Sequence, residues 1–409
     1  MSNYRRWQEP TIVEALKTRR VVIIAGSRQC GKTTLSKSFA ADTEYRTLDD
    51  RLLLSAAKND PDEFVKHHNQ CLVIDEIQKA VELLPAIKKV VDENNRPGQF
   101  LLTGSANIQA MPCVSESLAG RIRTVSLRPL SQGEINRHQP HFFEPLFSEQ
   151  FDQLRIKKIT RDDIIEIALR GGYPEVIPFS PRDRQLWHQN YMDALLERDL
   201  KDIIHIRRID AMFQLVQVVA TWSTKPIDIS AIGSGLSLQR HTVESYFNAL
   251  EALFLIDRIP AYGKTDYDRV GRQSKLIMND SGLMSSLLRL RLDDVRFDGD
   301  RVGKLIETHV GNELQKHIDA ADESYVLCHY RDREKREIDF LIENEKGNFI
   351  GIEVKANTST DLADFKHLKW FQENLKPPRK KFMGIVLYTG NHIASFGDGL
   401  WAIPISTLY

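Results

Sequence analysis

One segment of this 409-residue chain has the residue types and spacing that phosphate binding requires. Residues 26–33 read Gly-Ser-Arg-Gln-Cys-Gly-Lys-Thr and match the pattern GxxxxGK(S/T) in full. The glycines permit unusual backbone angles, and the loop directs N–H groups and a helix N-terminus at an anion. In such a loop Lys32 contacts the β- and γ-phosphates and Thr33 binds Mg²⁺. We therefore predict ATP and Mg²⁺ as its ligands. The predicted nucleotide-binding residues of this segment are Gly26, Ser27, Arg28, Gln29, Cys30, Gly31, Lys32, Thr33 and Thr34.

Two adjacent acids follow the apolar residues 71–74, a pattern that predicts carboxylates at the end of a buried strand. We expect Asp75 to support the Mg²⁺ ion and Glu76 to orient and polarise the attacking water. A third apolar segment ends in Thr-Gly-Ser, which would place Ser105, or alternatively Asn107, near the γ-phosphate. The same tripeptide is also typical of a simple turn.

Arg121 lies in a Leu-Ala-Gly-Arg segment and could stabilise developing phosphate charge as an arginine finger. Acting in that way on a neighbouring subunit would require a homo-oligomer. A solvated surface arginine is the alternative interpretation, and Arg123 is the substitute candidate.

A second group of residues suits metal-assisted phosphodiester cleavage. Asp339 and Glu353 are 14 residues apart, and Lys355 shares a strand face with Glu353. A hairpin would bring both carboxylates together as a Mg²⁺ site, with Lys355 positioning the nucleophile and Glu307 adding a group from a helix. We predict Glu307, Asp339 and Glu353 as metal ligands, and Asp339, Glu353 and Lys355 as catalytic residues of the D…ExK type. The alternative is a salt-bridged cluster that cuts nothing.

The elements that position these residues follow from the hydrophobic pattern. Apolar segments at 20–25, 71–75 and 100–103 alternate with helical patterns, which predicts an α/β domain with a parallel sheet. Residues 226–262 have the order of a winged helix-turn-helix, and the segment from 301 onward reads helix–strand–strand–strand–helix–strand. The predicted domains are residues 1–135, a P-loop ATPase domain; 136–225, a linker and helical lid-like segment; 226–300, the winged helix and a connection; and 301–409, an α/β nuclease-like domain.

Charge and composition restrict the partners. Lys and Arg total 56, as do Asp and Glu, so the whole chain is neutral, yet residues 363–381 hold six basic and two acidic residues. That local excess favours DNA as a partner. Residues 239–242, at the start of the second winged-helix helix, are where major-groove contacts are usually made, but winged helices serve equally as protein-contact modules or ATPase lids. The apolar segments are too short to cross a membrane, and four cysteines without a CxxC pair favour the cytoplasm. Further basic residues could line a phosphate track or simply be solvated: Arg207, Arg208, Arg258, Lys264, Arg269, Arg272 and Lys275.

An ordered set of segments resembles a known family, the prokaryotic AAA-type ATPases that carry a C-terminal domain of restriction-endonuclease (PD-(D/E)xK) type. The segments are residues 26–34, 45–50, 72–78, 102–105, 118–121 and 171–175. The resemblance spans nearly the whole chain and implies an ATPase module, a winged helix and a nuclease-like fold. Ser27 and Cys30 depart from the expected Pro and Val, but both are small enough for nucleotide binding. ATP-gated action on DNA, in defence or mobile-element maintenance, is the leading expectation. The alternative is a non-cleaving ATP-controlled switch that binds DNA or protein, or a transcription regulator.

Overall fold

The computed structural model describes residues 4–39, 44–68, 71–105, 118–199, 209–263, 272–374 and 380–409. These residues form two compact units. The first comprises Met1–Leu130 with Leu250–Leu255, and the second Ser131–Ala249 with Ile256–Tyr409. The finer division into four segments stays a prediction.

Five parallel strands form the sheet of the first unit, in the order β2-β3-β4-β1-β5. They are β1 (Val21–Ala25), β2 (Glu44–Thr47), β3 (Leu72–Asp75), β4 (Phe100–Gly104) and β5 (Ile122–Ser126). The predicted parallel α/β fold is confirmed for this unit. The edge strands β2 and β5 were not predicted, because their residues are only partly buried and lack a continuous apolar run.

Helices cover both faces of this sheet. They are α1 (Glu9–Thr18), α2 (Lys32–Ser38), α3 (Arg51–Asn59), α4 (Pro61–Phe64) and α5 (Leu83–Glu93), with a 3₁₀ helix at Ile77–Ala80. Alternate residues of β1 serve opposite faces: Val21 and Ile23 join one buried cluster, whereas Val22 and Ile24 join the other. A strand buried on both sides must be apolar throughout, which explains the continuous runs in the sequence.

The second unit begins with helices, as the pattern over 162–222 predicts. Its helices before the second sheet are α6 (Gln132–Ile135), α7 (Phe143–Phe147), α8 (Arg161–Arg170), α9 (Pro181–Ala194), α10 (Ile209–Trp222), α11 (Ile229–Gly235), α12 (Arg240–Ala252), α13 (Ser281–Leu287), α14 (Leu292–Val295) and α15 (Gly299–Ala320). A π-helical turn, Leu195–Asp199, and a 3₁₀ helix, Phe151–Gln153, complete this set. Strands β6 (Ile256–Ile259) and β7 (Lys275–Met278) follow α11 and α12 and pair antiparallel. This is the predicted element order, although a winged helix itself stays a prediction.

A mixed six-stranded sheet, ordered β12-β13-β11-β10-β9-β8, ends the chain. Its strands are β8 (Tyr325–Arg331), β9 (Glu337–Asn344), β10 (Phe349–Lys355), β11 (Phe382–Tyr388), β12 (Ala394–Gly397) and β13 (Leu400–Pro404). Between β10 and β11 lie a 3₁₀ helix, Leu362–Phe365, and α16 (Lys366–Asn374), and a 3₁₀ helix, Ile405–Leu408, follows β13. The predicted order of α15, β8, β9, β10, α16 and β11 is confirmed. Strands β8, β9 and β10 pair antiparallel, and β10 pairs parallel with β11.

Among the helices of the described residues, none is both long and apolar enough to cross a membrane.

Candidate nucleotide site and C-terminal carboxylate cluster

The phosphate-binding segment connects the carboxyl end of β1 to the first turn of α2. Gly26 follows β1, and a Cβ at this position would lie 2.0 Å from the carbonyl oxygen of Leu127, so only glycine fits. Gly31 caps α2 with a φ of 105°, in the region that favours glycine. The two glycines therefore hold the tight loop that aims backbone N–H groups at an anion.

Lys32 is the first residue of α2, and its ammonium lies folded over the loop. Its Nζ donates hydrogen bonds to the carbonyl oxygens of Gly26 at 3.0 Å and Ser27 at 2.8 Å. The side chain is buried, so the loop itself provides the acceptors for this charge. A phosphate at this position would offer charged acceptors, which form stronger hydrogen bonds than neutral carbonyls.

Asp75 lies at the end of β3, is 1% exposed, and accepts hydrogen bonds from three hydroxyl groups. Thr33 Oγ1 and Tyr45 OH lie 3.0 and 2.9 Å from Asp75 Oδ2, and Thr103 Oγ1 lies 2.5 Å from Oδ1. Burial and the contact with Asp75 raise the pKa of the Tyr45 hydroxyl. The structure therefore brings together the predicted magnesium residues Thr33 and Asp75.

Thr103 was not predicted, yet it occupies the centre of this network. Strand β4 lies between β1 and β3 in the sheet, so its carboxyl end lies between the strand ends that carry the phosphate loop and Asp75. The Thr103 hydroxyl donates to Asp75 and also accepts a hydrogen bond of 3.1 Å from Glu76 N. The sequence signal was present, since Thr103 immediately precedes the Gly-Ser that ends the third apolar run.

Glu76 and Ser105, the predicted water-activating residue and sensor, are joined through Gln78. The Gln78 amide donates to the Glu76 carboxylate, and also to Ser105 Oγ at 2.8 Å. Ser105 N in turn donates to Gln78 Oε1 at 3.4 Å. Glu76 has a φ of 63°, an uncommon backbone conformation for a non-glycine residue that occurs preferentially at functional sites. Asn107, the alternative sensor, lies outside the described residues.

The departures from the family pattern fit inside the loop. The buried Cys30 thiol donates to the Leu127 carbonyl oxygen at 3.2 Å, and the Cys30 carbonyl accepts a 2.8 Å hydrogen bond from Arg6 Nη1. Ser27 is buried, and its hydroxyl has no hydrogen-bond partner among the described residues. The remaining predicted loop residues are exposed in whole or in part: Arg28, Gln29 and Thr34.

Arg121 immediately precedes β5, at the end of the sheet where these strands begin, whereas the phosphate loop lies at the end where they finish. Val21 at the start of β1 pairs with Ile122, so the length of β1 separates Arg121 from Gly26, roughly 16 Å at 3.3 Å per residue. The guanidinium binds both carboxylate oxygens of Asp92, with Nη2 3.0 Å from Oδ2, and this pairing lowers the pKa of Asp92. The structure does not bring Arg121 to its own phosphate loop, and its role on a neighbouring subunit stays a prediction.

In the second unit, the β9–β10 hairpin brings Asp339 beside Glu353, as expected from their spacing. Phe340 pairs with Ile352, and Asp339 Oδ2 accepts a hydrogen bond of 2.9 Å from Val354 N. This backbone contact fixes the Asp339 carboxylate against the strand that carries Glu353.

Glu353 is 8% exposed, and its Oε1 has no hydrogen-bond partner in the described part of the chain. Burial and the nearby charge of Asp339 raise the pKa of Glu353 well above its usual value. Lys355 Nζ lies 3.8 Å from Glu353 Oε2 and 3.9 Å from Asp364 Oδ1, so the predicted lysine does face the predicted glutamate. An orphaned buried oxygen beside a second carboxylate fits a cation as its missing partner.

Both sequence-based interpretations of Lys275, as part of a phosphate track or as a solvated residue, are wrong. Lys275 is completely buried at the start of β7, and its Nζ lies 2.8 Å from Glu307 Oε1 and 3.3 Å from Asp339 Oδ1. Glu337 Oε1 is 3.4 Å away. Burial would lower the pKa of Lys275, but the surrounding carboxylates outweigh it and raise the pKa. A lysine in a basic stretch looks the same in sequence whether it faces water or carboxylates.

Glu307 reaches the cluster from α15, as predicted, but its nearest partner is the Lys275 ammonium. Burial, reinforced by the charge of Asp339, raises the pKa of Glu307 to about 8. Within the described residues, no group of three or more His, Cys, Asp or Glu side chains is arranged to hold a metal ion. The three-carboxylate metal site of Glu307, Asp339 and Glu353 therefore stays a prediction.

Only some of the other residues predicted to contact DNA lie in the described part of the chain. Residues 239–241 are exposed at the start of α12, where Arg240 pairs with Glu244 at 2.9 Å. Arg258 donates to Asn248 Oδ1 at 2.6 Å, and Arg272 donates to the Tyr262 carbonyl at 3.0 Å. The following basic residues lie outside the described residues: Arg207, Arg208, Lys264, Arg269, Lys376 and Arg379.

The parallel sheet, the glycine-rich loop after β1 and the acids after β3 define a P-loop nucleotide-binding domain. Residues 18–136 match the family described as an AAA domain. The first unit therefore contains a P-loop ATPase domain of the AAA type. Residues 161–294 and 302–408 match two domains of unknown function, DUF8612 and DUF4143, respectively.

Two similar proteins extend over nearly the whole chain, and similar solved structures cover part of it. Two uncharacterized proteins, one from Mycobacterium bovis and one from Mycobacterium tuberculosis, are each 25% identical over 402 residues, covering 98% of this chain and 83% of the relative. The Walker-type ATPase of Pyrococcus abyssi is 15% identical and covers 69% of this chain and 95% of its own, with a TM-score of 0.45. The Thermotoga maritima RuvB Holliday junction branch migration motor is 16% identical and covers 63% and 90%, with a TM-score of 0.29. These structural likenesses are too low to bear on function.

Proposed function

We propose that the first unit binds ATP together with Mg²⁺ and hydrolyses it. The observation that carries this proposal is the Asp75 network, in which Thr33 of the phosphate loop and Thr103 of β4 both donate to one buried carboxylate. A buried carboxylate beside the loop threonine is a hard oxygen ligand of the kind that Mg²⁺ takes together with phosphates.

Each residue of this site has a separate proposed role. Lys32 would exchange its two carbonyl acceptors for phosphate oxygens, and the loop N–H groups would hold the same phosphates. Thr33 and Asp75 would hold Mg²⁺, which neutralises phosphate charge when bound. Glu76 would accept a proton from the attacking water, with Thr103 holding its backbone and Gln78 its carboxylate.

Substitution of Lys32 tests this proposal. We expect Lys32→Ala to lose most ATP binding and hydrolysis, because the loop loses its only ammonium, whereas Lys17→Ala, at an exposed position of α1, leaves both unchanged. Phosphate release and the Kd of a fluorescent ATP analogue are measured with Mg²⁺ and with EDTA. Hydrolysis at the normal rate by Lys32→Ala, or in EDTA, would show the proposal to be wrong.

We further propose that the second unit contains a restriction-endonuclease-like domain that acts on DNA under the control of ATP. Its support is the hydrogen bond that holds Asp339 against the strand carrying Glu353, the Glu353 Oε1 without a hydrogen-bond partner among the described residues, and Lys355 on that same strand. A divalent ion held by the two carboxylates would polarise a phosphodiester and activate water. Defence against foreign DNA and mobile-element maintenance are the processes that this combination suits.

A groove of about 690 Å³ lies along α16, and Arg336 and Trp370 are among the residues that line it. The Arg336 guanidinium lies 3.7 Å from the centre of the Trp370 ring, a stacked cation that resembles the surfaces on which bases pack. Lys366 and Lys369 supply positive charge for a phosphate backbone, although Glu334 and Glu373 also line the groove.

A cleavage assay separates this proposal from a non-cleaving switch or a transcription regulator. Linear, nicked and single-stranded DNA are incubated with Mg²⁺ or Mn²⁺, with and without ATP, beside an Asp339→Ala control. Cleavage lost in Asp339→Ala supports the nuclease. No cleavage of any substrate, or cleavage that survives the substitution, favours the switch, and protection of one particular sequence favours the regulator.

The proposed ligands and the free thiols favour one cellular compartment. An ATPase with Mg²⁺, DNA as partner and buried free thiols at Cys30, Cys71 and Cys328 fits the reducing cytoplasm. Assembly into a homo-oligomer would let Arg121 act on the phosphate site of a neighbouring subunit.

A further inference from the structure

The most unusual charged group in the described residues is the ammonium of Lys275. Its side chain has no exposed surface, and three carboxylate oxygens lie within 3.4 Å of its Nζ, from Glu307, Glu337 and Asp339. It also donates to the Asp339 carbonyl oxygen at 3.3 Å. A buried ammonium is retained only where paired charges and hydrogen bonds compensate its lost hydration, and this cluster supplies both.

The position of the ammonium resembles that of a bound cation. It bridges Glu307, on α15, and Asp339, on β9, which are two of the three carboxylates that the sequence assigns to a metal. A divalent ion between these oxygens would need the space and the lone pairs that Nζ already uses. The carboxylate oxygens of Glu307 and Asp339 that contact Nζ cannot bind the ammonium and a metal ion at full strength at the same time.

The other end of the cluster is different. Glu353 is 8% exposed, and its Oε1 has no hydrogen-bond partner among the residues described, although Asp339 lies beside it across the hairpin. Lys355 faces only the opposite oxygen, Oε2, at 3.8 Å. A buried carboxylate oxygen without a hydrogen-bond partner among the described residues is an independent observation that favours a cation as a ligand at this end.

We propose that Lys275 is a resident cation that fills the position between Glu307 and Asp339 and leaves one position for a divalent ion, between Asp339 and Glu353. This inference rests on the C-terminal part of the proposed function, but it concerns ion binding and not cleavage. Lys275 also repels an arriving ion, so it weakens binding at the remaining position.

Ion binding by a Lys275→Met variant tests the proposal, because methionine keeps the length of the side chain without its charge. Mn²⁺ titrations followed by electron paramagnetic resonance use nucleotide-free, full-length protein in an Asp75→Asn background, which removes the carboxylate proposed to hold the metal ion in the first unit. We expect Lys275→Met to bind Mn²⁺ at least about tenfold more tightly than its parent, an electrostatic change of about 1.4 kcal/mol. Lys275→Arg, which keeps a cation, and Lys304→Met, on the same α15 helix as Glu307, should match the parent.

Folding is checked by circular dichroism, and Lys275→Met/Glu307→Gln serves if the single variant does not fold. The double variant removes a charge from both sides of the buried pair and should also bind Mn²⁺ more tightly than the parent, because the repulsive ammonium is gone. If neither variant gains affinity, or if Lys275→Arg gains as much, the inference is wrong whether or not the protein cuts DNA. A gain in affinity without any cleavage supports the role of Lys275 and defeats only the nuclease.

Discussion

Replacing Thr103 with valine removes one hydroxyl group and keeps the branched shape of the side chain. That hydroxyl is fully buried, donates to Asp75 Oδ1 at 2.5 Å and accepts from Glu76 N at 3.1 Å. A hydrogen bond to a charged group contributes about 1.5–3 kcal/mol, and an unsatisfied buried group costs about 1–3 kcal/mol. Because Asp75 keeps its bonds from Thr33 and Tyr45, we expect the free energy of unfolding to fall by about 2–3 kcal/mol.

The same substitution should affect catalysis more than binding. Thr103 positions Asp75 and Glu76, whereas Lys32 and the loop would hold the phosphates. If about 2 kcal/mol of the lost interaction appears in the transition state, kcat falls about 30-fold. The Kd of a fluorescent ATP analogue should change much less, because the phosphate loop remains intact.

Steady-state phosphate release, nucleotide Kd and thermal unfolding are measured for Thr103→Val beside Thr103→Ser. Serine keeps the hydroxyl, so it should restore kcat to within a few-fold of the parent although it removes a buried methyl group. Thr103→Val with unchanged kcat would refute the positioning role. Equal losses in kcat and binding, or a serine variant as slow as valine, would instead indicate a general disturbance of the sheet.

Three further predictions concern Gly26 of the phosphate loop, Arg121, and the buried histidines of the second unit. Gly26→Ala should weaken ATP binding and lower the free energy of unfolding by about 1–3 kcal/mol, because the new methyl group would overlap a backbone oxygen. The control is Gly303→Ala, which has open space around it and should not destabilise the protein in thermal unfolding. Arg121→Ala and Lys32→Ala should each lose ATPase activity and partly recover it when mixed if Arg121 acts between subunits; mixtures that stay inactive would argue against that role. Burial lowers the pKa of four histidines of the second unit far below their usual value of 6.5, so these groups stay neutral in the folded state while the unfolded chain takes up protons. The contribution of these neutral histidines to the free energy of unfolding should therefore be fully present above about pH 6.5, and it should fall on acidification by up to about 1.4 kcal/mol per histidine and pH unit. Unfolding midpoints measured between pH 7.5 and 5 check this prediction. A His188→Gln variant should show a shallower dependence of stability on pH. The four are His188 and His309, with a pKa of about 3, and His317 and His329, with a pKa of about 4.

Much of the first unit could be predicted because its signals are local. The phosphate loop lies within eight consecutive residues, and Asp75 follows directly on the apolar strand that buries it. Strands β2 and β5 escaped prediction, because edge strands that are partly exposed need no continuous apolar run. Gln78 and Thr103 escaped for another reason: their importance lies in hydrogen bonds to other strand ends, and the order of strands in the sheet decides which ends are neighbours.

The sequence by itself determined the parallel sheet, the phosphate loop, the carboxylates that follow β3 and the Asp339–Glu353 hairpin, since each depends on residues close together in the chain or on a strong hydrophobic period. Only the tertiary structure decided the environment of Lys275. Its carboxylate partners Glu307 and Asp339 are 32 and 64 residues away in sequence. No local pattern distinguishes a lysine in water from one surrounded by carboxylates, because burial and charge pairing arise only when β7, α15 and β9 pack together.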